Sequence, residues 1–316
     1  MLKGAMKRYF LRLFLFSIPV FLYVLVIVVV DPYNFLNVSH IISDKDKFTV
    51  IQRTDESSPR GNILWKTIEF RRNPCKKVII GDSQGKDIDV DLIKEITGDQ
   101  YYNFCFPGAS FRTMFETFWF TAEHAELETV YFQVAFMNYN AEREYDIFHF
   151  AMDYFDKPVN YFTTKEIFFD AVANLAWVTT RNPWIVQRSY EFLPADRMED
   201  VAQFRLNLFF SKYAYPTEYA AEFRKIISYC NKKNIKLVFF ILPVYEGVDK
   251  HLQKTGLTDE KARFKQDIHA LGKTIDLDLL TDIKANRDNF FDYFHPNKTM
   301  MDSLVRKIWV KEEVVK

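Results

Sequence analysis

The apolar positions of this chain fall into two regimes. Over residues 13–30 they are continuous (LFLFSIPVFLYVLVIVVV) and carry no charge. As a helix that stretch is about 27 Å long, close to the hydrocarbon thickness of a bilayer, and it predicts one membrane span. Beyond it, apolar residues come in short runs divided by turn residues and by segments of helical spacing. Residues 78–80 (VII) are a β-branched run that suits a strand buried on both faces. Over 87–96, Val90, Ile93 and Ile96 recur at helical spacing. Residues 99–106 (DQYYNFCF) predict a second strand, 111–123 an aromatic-rich helix, and 128–136 (ETVYFQVAF) a third strand. A helix over 216–233 precedes a fourth strand at 235–242 (IKLVFFIL). A helix over 258–271, a short fifth strand over 274–280, a loop over 289–297 (NFFDYFHPN) and a closing helix over 298–311 complete the pattern. Strands alternating with helices predict an α/β fold with a mostly parallel sheet of about five strands. The 75 or so residues between strands three and four, 141–215, are long for a connection and predict a helical insertion covering the carboxyl edge of the sheet.

The span divides the chain into 1–31 (tail and anchor), 32–72 (juxtamembrane) and 73–316 (the α/β domain). Asp31-Pro32-Tyr33-Asn34 ends the apolar run with turn residues, and 62–71 is a candidate helix. Every charge ahead of Asp31 is basic: Lys3, Lys7, Arg8 and Arg12. That asymmetry favours a cytoplasmic amino terminus and an extracytoplasmic domain. A cleaved signal peptide competes with this reading. The apolar run is longer than a usual signal core and ends in Ile27-Val28-Val29-Val30 without a small-residue cleavage pattern, so an uncleaved anchor fits better. Pro19 is tolerated in such a span.

Composition changes the picture in three places. The chain of 316 residues is 48% hydrophobic, with 32 Phe and 17 Tyr, enough for a large core and for aromatic surfaces besides. Lys and Arg number 42, as do Asp and Glu, so nothing points to nucleic acid. Cys75, Cys105 and Cys230 form no Cys-x-x-Cys pair. Buried free thiols suit them, with a Cys75–Cys105 disulfide as the alternative.

The chemistry gathers at strand ends. After the first strand comes Gly81-Asp82-Ser83-Gln84-Gly85. A serine on a tight turn between strand and helix is how an α/β sheet presents a nucleophile, and the helix start would bring free N–H groups near a developing oxyanion. The bland alternative is a Ser that only caps the helix. Gly108 follows the second strand and Asn138 the third, with Asn140 a second candidate for the same place. Near the carboxyl end, Asp292 and His295 stand three apart, so a carboxylate and an imidazole on one turn can meet. Groups at the carboxyl ends of parallel strands converge on one crevice. There Ser83 would attack a carbonyl, His295 would move its proton, and Asp292 would orient the imidazole. The Ser83 and Gly108 amides and the Asn138 side chain would bind the oxyanion. No cofactor is called for. Asp87, Asp89 and Asp91 open a predicted helix and complement its dipole rather than hold a metal. Asp82 supports the turn. His124, His149, His251 and His269 show no partner pattern. The aromatic run 145–155 suits core packing, with docking on a membrane, partner or sugar as its alternative.

In these residues the chain resembles the SGNH (GDSL-like) hydrolase superfamily: Gly81-Asp82-Ser83, Gly108, Asn138, and Asp292 with His295. The resemblance runs from Lys76 to the carboxyl terminus. It implies a flavodoxin-like three-layer sandwich and a Ser-His-Asp set acting on esters. Two positions depart from the pattern: Phe136 stands where Gly is usual, and Gln84 where many free esterases carry Leu. The layout of one span before an outward-facing domain resembles the anchored members that work beside membrane-bound O-acyltransferases. Those place acetyl or D-alanyl groups on exopolysaccharides such as alginate or on teichoic acids. The partners this implies are such an acyltransferase, an envelope polymer and the membrane. A non-catalytic subunit of the same fold, and a simple esterase or lipase, are the alternatives.

Overall fold

The computed structural model describes residues 2–53, 57–143, 146–186 and 195–313. In chain order the helices are α1 (Leu2–Val30), α2 (Asp44–Ile51), α3 (Ser57–Arg72), α4 (Val90–Thr97), α5 (Phe111–His124), α6 (His149–Asp156), α7 (Asn160–Thr163), α8 (Lys165–Thr180), α9 (Ala195–Phe210), α10 (Tyr219–Lys233), α11 (Glu246–Thr255), α12 (Thr258–Leu271), α13 (Thr281–Ala285) and α14 (Lys298–Glu313). The strands are β1 (Lys77–Gly81), β2 (Tyr102–Cys105), β3 (Thr129–Gln133), β4 (Lys236–Ile241) and β5 (Thr274–Asp276).

The five strands form one all-parallel sheet in the order β2-β1-β3-β4-β5, the flavodoxin-like order. Parallel neighbours need crossovers, and α4, α5 and the longer segments supply them. Side chains alternate between the two faces along each strand. Ile79, Tyr131, Val238 and Phe240 point to the face packed by Ile93 of α4 and by Leu304 and Trp309 of α14. Phe132 and Phe239 point the other way and meet Phe223 of α10 at ring separations of 5.7 and 5.5 Å. Burying one such aromatic is worth about 1.5–3 kcal/mol, which is why the run 128–136 settles as a central strand. The strand order reverses between β1 and β3. Chain leaving their carboxyl ends diverges there and opens a crevice at the point where ligands bind in such sheets.

The described chain packs as two units: Met1–Ile68 with His149–Glu191, and Glu69–Phe148 with Phe192–Lys316. The segment expected as one insertion, 141–215, is shared between them. Helices α6, α7 and α8 belong to the first unit and α9 to the second. Tyr145, the first residue of the aromatic run, lies outside the described residues. In the first unit α1 is long and apolar enough to cross a membrane, over Met6–Val30. Asp31 follows it in a left-handed backbone conformation (φ 43°), and the side chain turns inward to accept hydrogen bonds from the Tyr161 hydroxyl (2.8 Å) and the Asn37 amide (2.7 Å).

All three cysteines are free, so the Cys75–Cys105 bridge is not formed. The predicted elements are present, with β1 longer by one residue at each end and the other four strands shorter than expected. The third ends at Gln133, because 136–138 turns into a 3-10 helix, and the fifth ends at Asp276 for the same reason. Three helices, α2, α11 and α13, were not expected.

Candidate active site

The turn after β1 is built on close approach. A Cβ on Gly81 would stand 2.4 Å from Gln133 Oε1 and 2.8 Å from Cys105 Sγ, so only glycine fits between β2 and β3 at this level. Asp82 is buried, and its carboxylate organises the turn. Oδ1 accepts the Gln84 amide (2.8 Å) and Oδ2 accepts the side-chain amide of Asn138 (2.6 Å). Burial pushes the Asp82 carboxyl up from its usual range, and these hydrogen bonds oppose the rise. The Gly85 amide closes the turn on the Asp82 carbonyl at 3.2 Å, leaving Ser83 at its crest.

His295 sits on the loop before α14. Asp292 shapes that loop, its Oδ1 accepting the amides of Phe294 and His295, both at 2.8 Å. The imidazole comes back over the same carboxylate, with Nδ1 2.8 and 2.9 Å from the two oxygens. Its Nε2 stands 2.9 Å from Ser83 Oγ. The expected three residues are therefore one hydrogen-bonded chain joining parts of the sequence 212 positions apart. Burial alone would raise the Asp292 carboxyl. The charges of His295 and then Arg205 outweigh it and hold the group well below the usual carboxylate range. An ionised Asp292 accepts a hydrogen bond from Nδ1–H, so the Nε2 lone pair faces the Ser83 hydroxyl.

The oxyanion candidates separate. Asn138, on the 3-10 helix after β3, gives one of its two side-chain N–H groups to Asp82 and so reaches the Ser83 turn. Asn140 does not. Its side-chain nitrogen donates to the carbonyls of Phe209 and Lys212 and its oxygen accepts from the amides of Glu142 and Ala214, which commits the whole amide to holding a loop. Gly108 adopts a positive φ of 76° three residues past β2. The pairing of Gly81 with Cys105 sets that turn beside the Ser83 turn. One expectation is corrected. The helix expected from Asp87, α4, starts only at Val90, seven residues beyond Ser83. Its first free amides, of Asp91 and Leu92, are capped by Asp89 Oδ1 at 3.0 and 3.1 Å. Within the Asp87–Asp91 cluster, Asp89 is thus the helix cap.

The supporting roles of three residues escaped the sequence reading, and one of them, Gln84, was named only as a departure from the pattern. Gln133 closes β3 with Oε1 on the Asp82 amide (2.7 Å) and Nε2 on Gln84 Oε1 (3.0 Å). Gln84 in turn donates to the Phe294 carbonyl (2.8 Å). Arg205 of α9 pairs with Asp292 Oδ2. A lone glutamine in the otherwise apolar carboxyl half of a buried strand was a usable signal for Gln133, and none marked Arg205. Phe136, at the position of a usual glycine, packs on Phe210 of α9 and Phe264 of α12. With Gln84, Leu242 and Phe294 it lines an apolar cavity beside the site.

No family model and no curated protein matches the chain. A solved structure from Streptococcus pneumonia, named provisionally as a platelet activating factor, is similar at 12% identity, with 80% of this chain and 92% of that chain covered. Its TM-score of 0.39 is too low to establish a common fold.

A hydroxyl, an imidazole and a buried carboxylate in this order can take a proton from the hydroxyl and return it to a leaving group.

Proposed function

We propose that this chain is a membrane-anchored serine esterase or O-acyltransferase. Ser83 Oγ attacks an acyl carbonyl while His295 Nε2 takes its proton, and Asp292 stabilises the imidazolium that forms. The Ser83 and Gly108 amides and the remaining N–H of Asn138 receive the oxyanion. His295 returns its proton to the first leaving group, which departs. The imidazole then takes a proton from water or a polymer hydroxyl as that attacks the acyl-enzyme, and gives it to Ser83 Oγ as the acyl group leaves. The observation that carries this reading is the contact of His295 Nε2 with Ser83 Oγ, backed by Asp292 on Nδ1.

The finer reading places the domain outside the cytoplasm, acting on acetyl or D-alanyl groups of a cell-envelope polysaccharide or teichoic acid beside a membrane-bound O-acyltransferase. It is supported by the apolar helix α1, by the basic residues ahead of it, and by the resemblance to anchored SGNH proteins. The test is turnover of a small acetyl ester by the full chain in detergent, followed by release or transfer of polymer-bound acyl groups. Ser83→Ala and His295→Ala abolish both while the melting transition is kept. Turnover that survives either change removes the enzymatic claim. Polymer modification restored by Ser83→Ala in cells lacking the gene would make the chain a non-catalytic subunit instead.

A further inference from the structure

The first unit carries an apolar face whose place is set by α1. From Met6 to Leu22 the described side chains of α1 are open on nearly every side, and from Tyr23 onward one side is covered by α8. The Phe168 ring stacks on Tyr23 at 4.4 Å, and the Tyr23 hydroxyl reaches the Thr164 carbonyl at 3.5 Å. Further along, Ala171 packs with Val30 and Val26, and Leu175 and Val178 close on the same cluster. Helix α8 therefore starts level with Tyr23 and runs beside the last two turns of α1.

Length decides where that pairing lies. A hydrocarbon layer of about 30 Å takes about 20 helical residues. With Lys7, Arg8 and Arg12 drawn to the inner headgroups, those residues extend to about Val30, so Tyr23–Val30 is inside the outer leaflet or at its boundary. The first half of α8 is then at the same depth. Unlike a helix of a water-soluble domain, it is apolar on its outward side as well as on the side buried at Ile167 and Ala171. The outward positions Phe169 and Val172 are 57% and 41% exposed, and Ala176 and Thr179 continue that side at helical spacing. Asp170, the one charged residue from Ile167 to Thr180, is turned inward and fully buried. It pairs with Arg53 (2.6 Å) and Arg60 (2.8 Å) and accepts from the Tyr33 hydroxyl (2.6 Å).

We propose that α8 is a second membrane-contacting element, lying against α1 in the outer boundary of the bilayer with lipid acyl chains over Phe169 and Val172. The proposal rests on reading α1 as a membrane span. Asp170 holds the helix in this orientation from its protein side, and the unit grips the bilayer by two adjoining apolar faces instead of one thread.

The test uses the full chain in vesicles of phosphatidylcholine and phosphatidylglycerol, on a Cys75→Ser background. A bimane label is placed at Phe169→Cys, Val172→Cys, Leu22→Cys in α1, or Thr49→Cys on the exposed side of α2. Lipids brominated in the acyl chain serve as quenchers. Labels at 169 and 172 lose fluorescence to an extent comparable with the label at 22, and the label at 49 keeps its intensity. Quenching at 22 with none at 169 and 172 overturns the proposal and leaves the span standing. No quenching at 22 overturns both. Quenching at 49 equal to that at 169 also overturns it, since depth would then not distinguish α8.

Discussion

Gln84 Nε2 donates to the carbonyl oxygen of Phe294 at 2.8 Å, across 210 positions of sequence. One partner is the neighbour of Ser83 and the other the neighbour of His295, so this bond fixes the spacing of the two reacting groups. Gln133 completes the link, because it holds both the Gln84 side chain and the Asp82 amide. Replacing Gln84 by Leu keeps much of its volume and removes both hydrogen bonds. It leaves Phe294 O and Gln133 Nε2 without these partners in a buried place, at a cost of about 1–3 kcal/mol each. Gln84→Leu is expected to lower the melting temperature and to cut kcat/KM for an acetyl ester about 100-fold through misplacement of the dyad. Thermal denaturation and ester kinetics on the same preparation check this. An unchanged rate would show that the bond does not set the geometry.

Arg205 places a second positive charge on Asp292, opposite the imidazole. That charge is one of the causes that hold the Asp292 carboxyl below its usual range. Arg205→Gln removes it while the Phe294 and His295 amides still hold the carboxylate. The domain is expected to be less stable near neutrality, with the gap from the parent closing on acidification, because the charged form of Asp292 has lost a partner. Denaturant unfolding across pH checks this, and a gap that does not depend on pH would mean that Arg205 serves only to pack α9 on the loop.

Asp278 lies beyond β5 with Lys261 and Lys265 on Oδ2 (2.7 and 2.9 Å) and Lys284 on Oδ1 (3.0 Å). Burial would raise its carboxyl, but the three ammonium groups lower it to about 2. A depressed folded pKa contributes stability above the unfolded value, about 3.9, which is lost as the pH falls through the folded one. Asp278→Asn is therefore expected to destabilise the domain by about 3 kcal/mol near neutrality. The gap from the parent closes as pH falls from about 4 toward 2. Denaturant unfolding of both proteins across this range checks the sign, and a gap that widens on acidification contradicts it.

How much of this was legible depends on which contacts are local. The sheet was, because β1, β3 and β4 are apolar runs bounded by turn residues, and burial on both faces leaves such runs little alternative. Asp292 with His295 was, because three residues of separation let the pair close within one turn. Their meeting with Ser83 came from the rule that carboxyl ends of parallel strands share a crevice. The start of α4 was misplaced because Ile88 is drawn into the core and Asp89 captures the next amides, so the helix begins seven residues beyond the serine. Asn138 and Asn140 could not be told apart by sequence, since the distinction is which carbonyls and carboxylates surround each amide. Arg205 was invisible because its partner lies 87 residues away, on an element that only tertiary packing brings near. The face of α8 hid for a different reason. Asp170, its one charged residue beyond the first turn, is buried with Ile167 and Ala171, while Phe169 and Val172 are exposed, so both sides are apolar and periodicity marks neither as outward.

The central claim is that Ser83 is made nucleophilic by His295. The measurement that meets it most directly is labelling of the full chain with a serine-directed phosphonate, with the adduct located by peptide mass spectrometry and its rate measured. One adduct on Ser83, absent in Ser83→Ala and formed on the order of 1,000-fold more slowly in His295→Ala, is the expected result. An adduct on another residue, or labelling of Ser83 at the same rate without the imidazole, would contradict the claim.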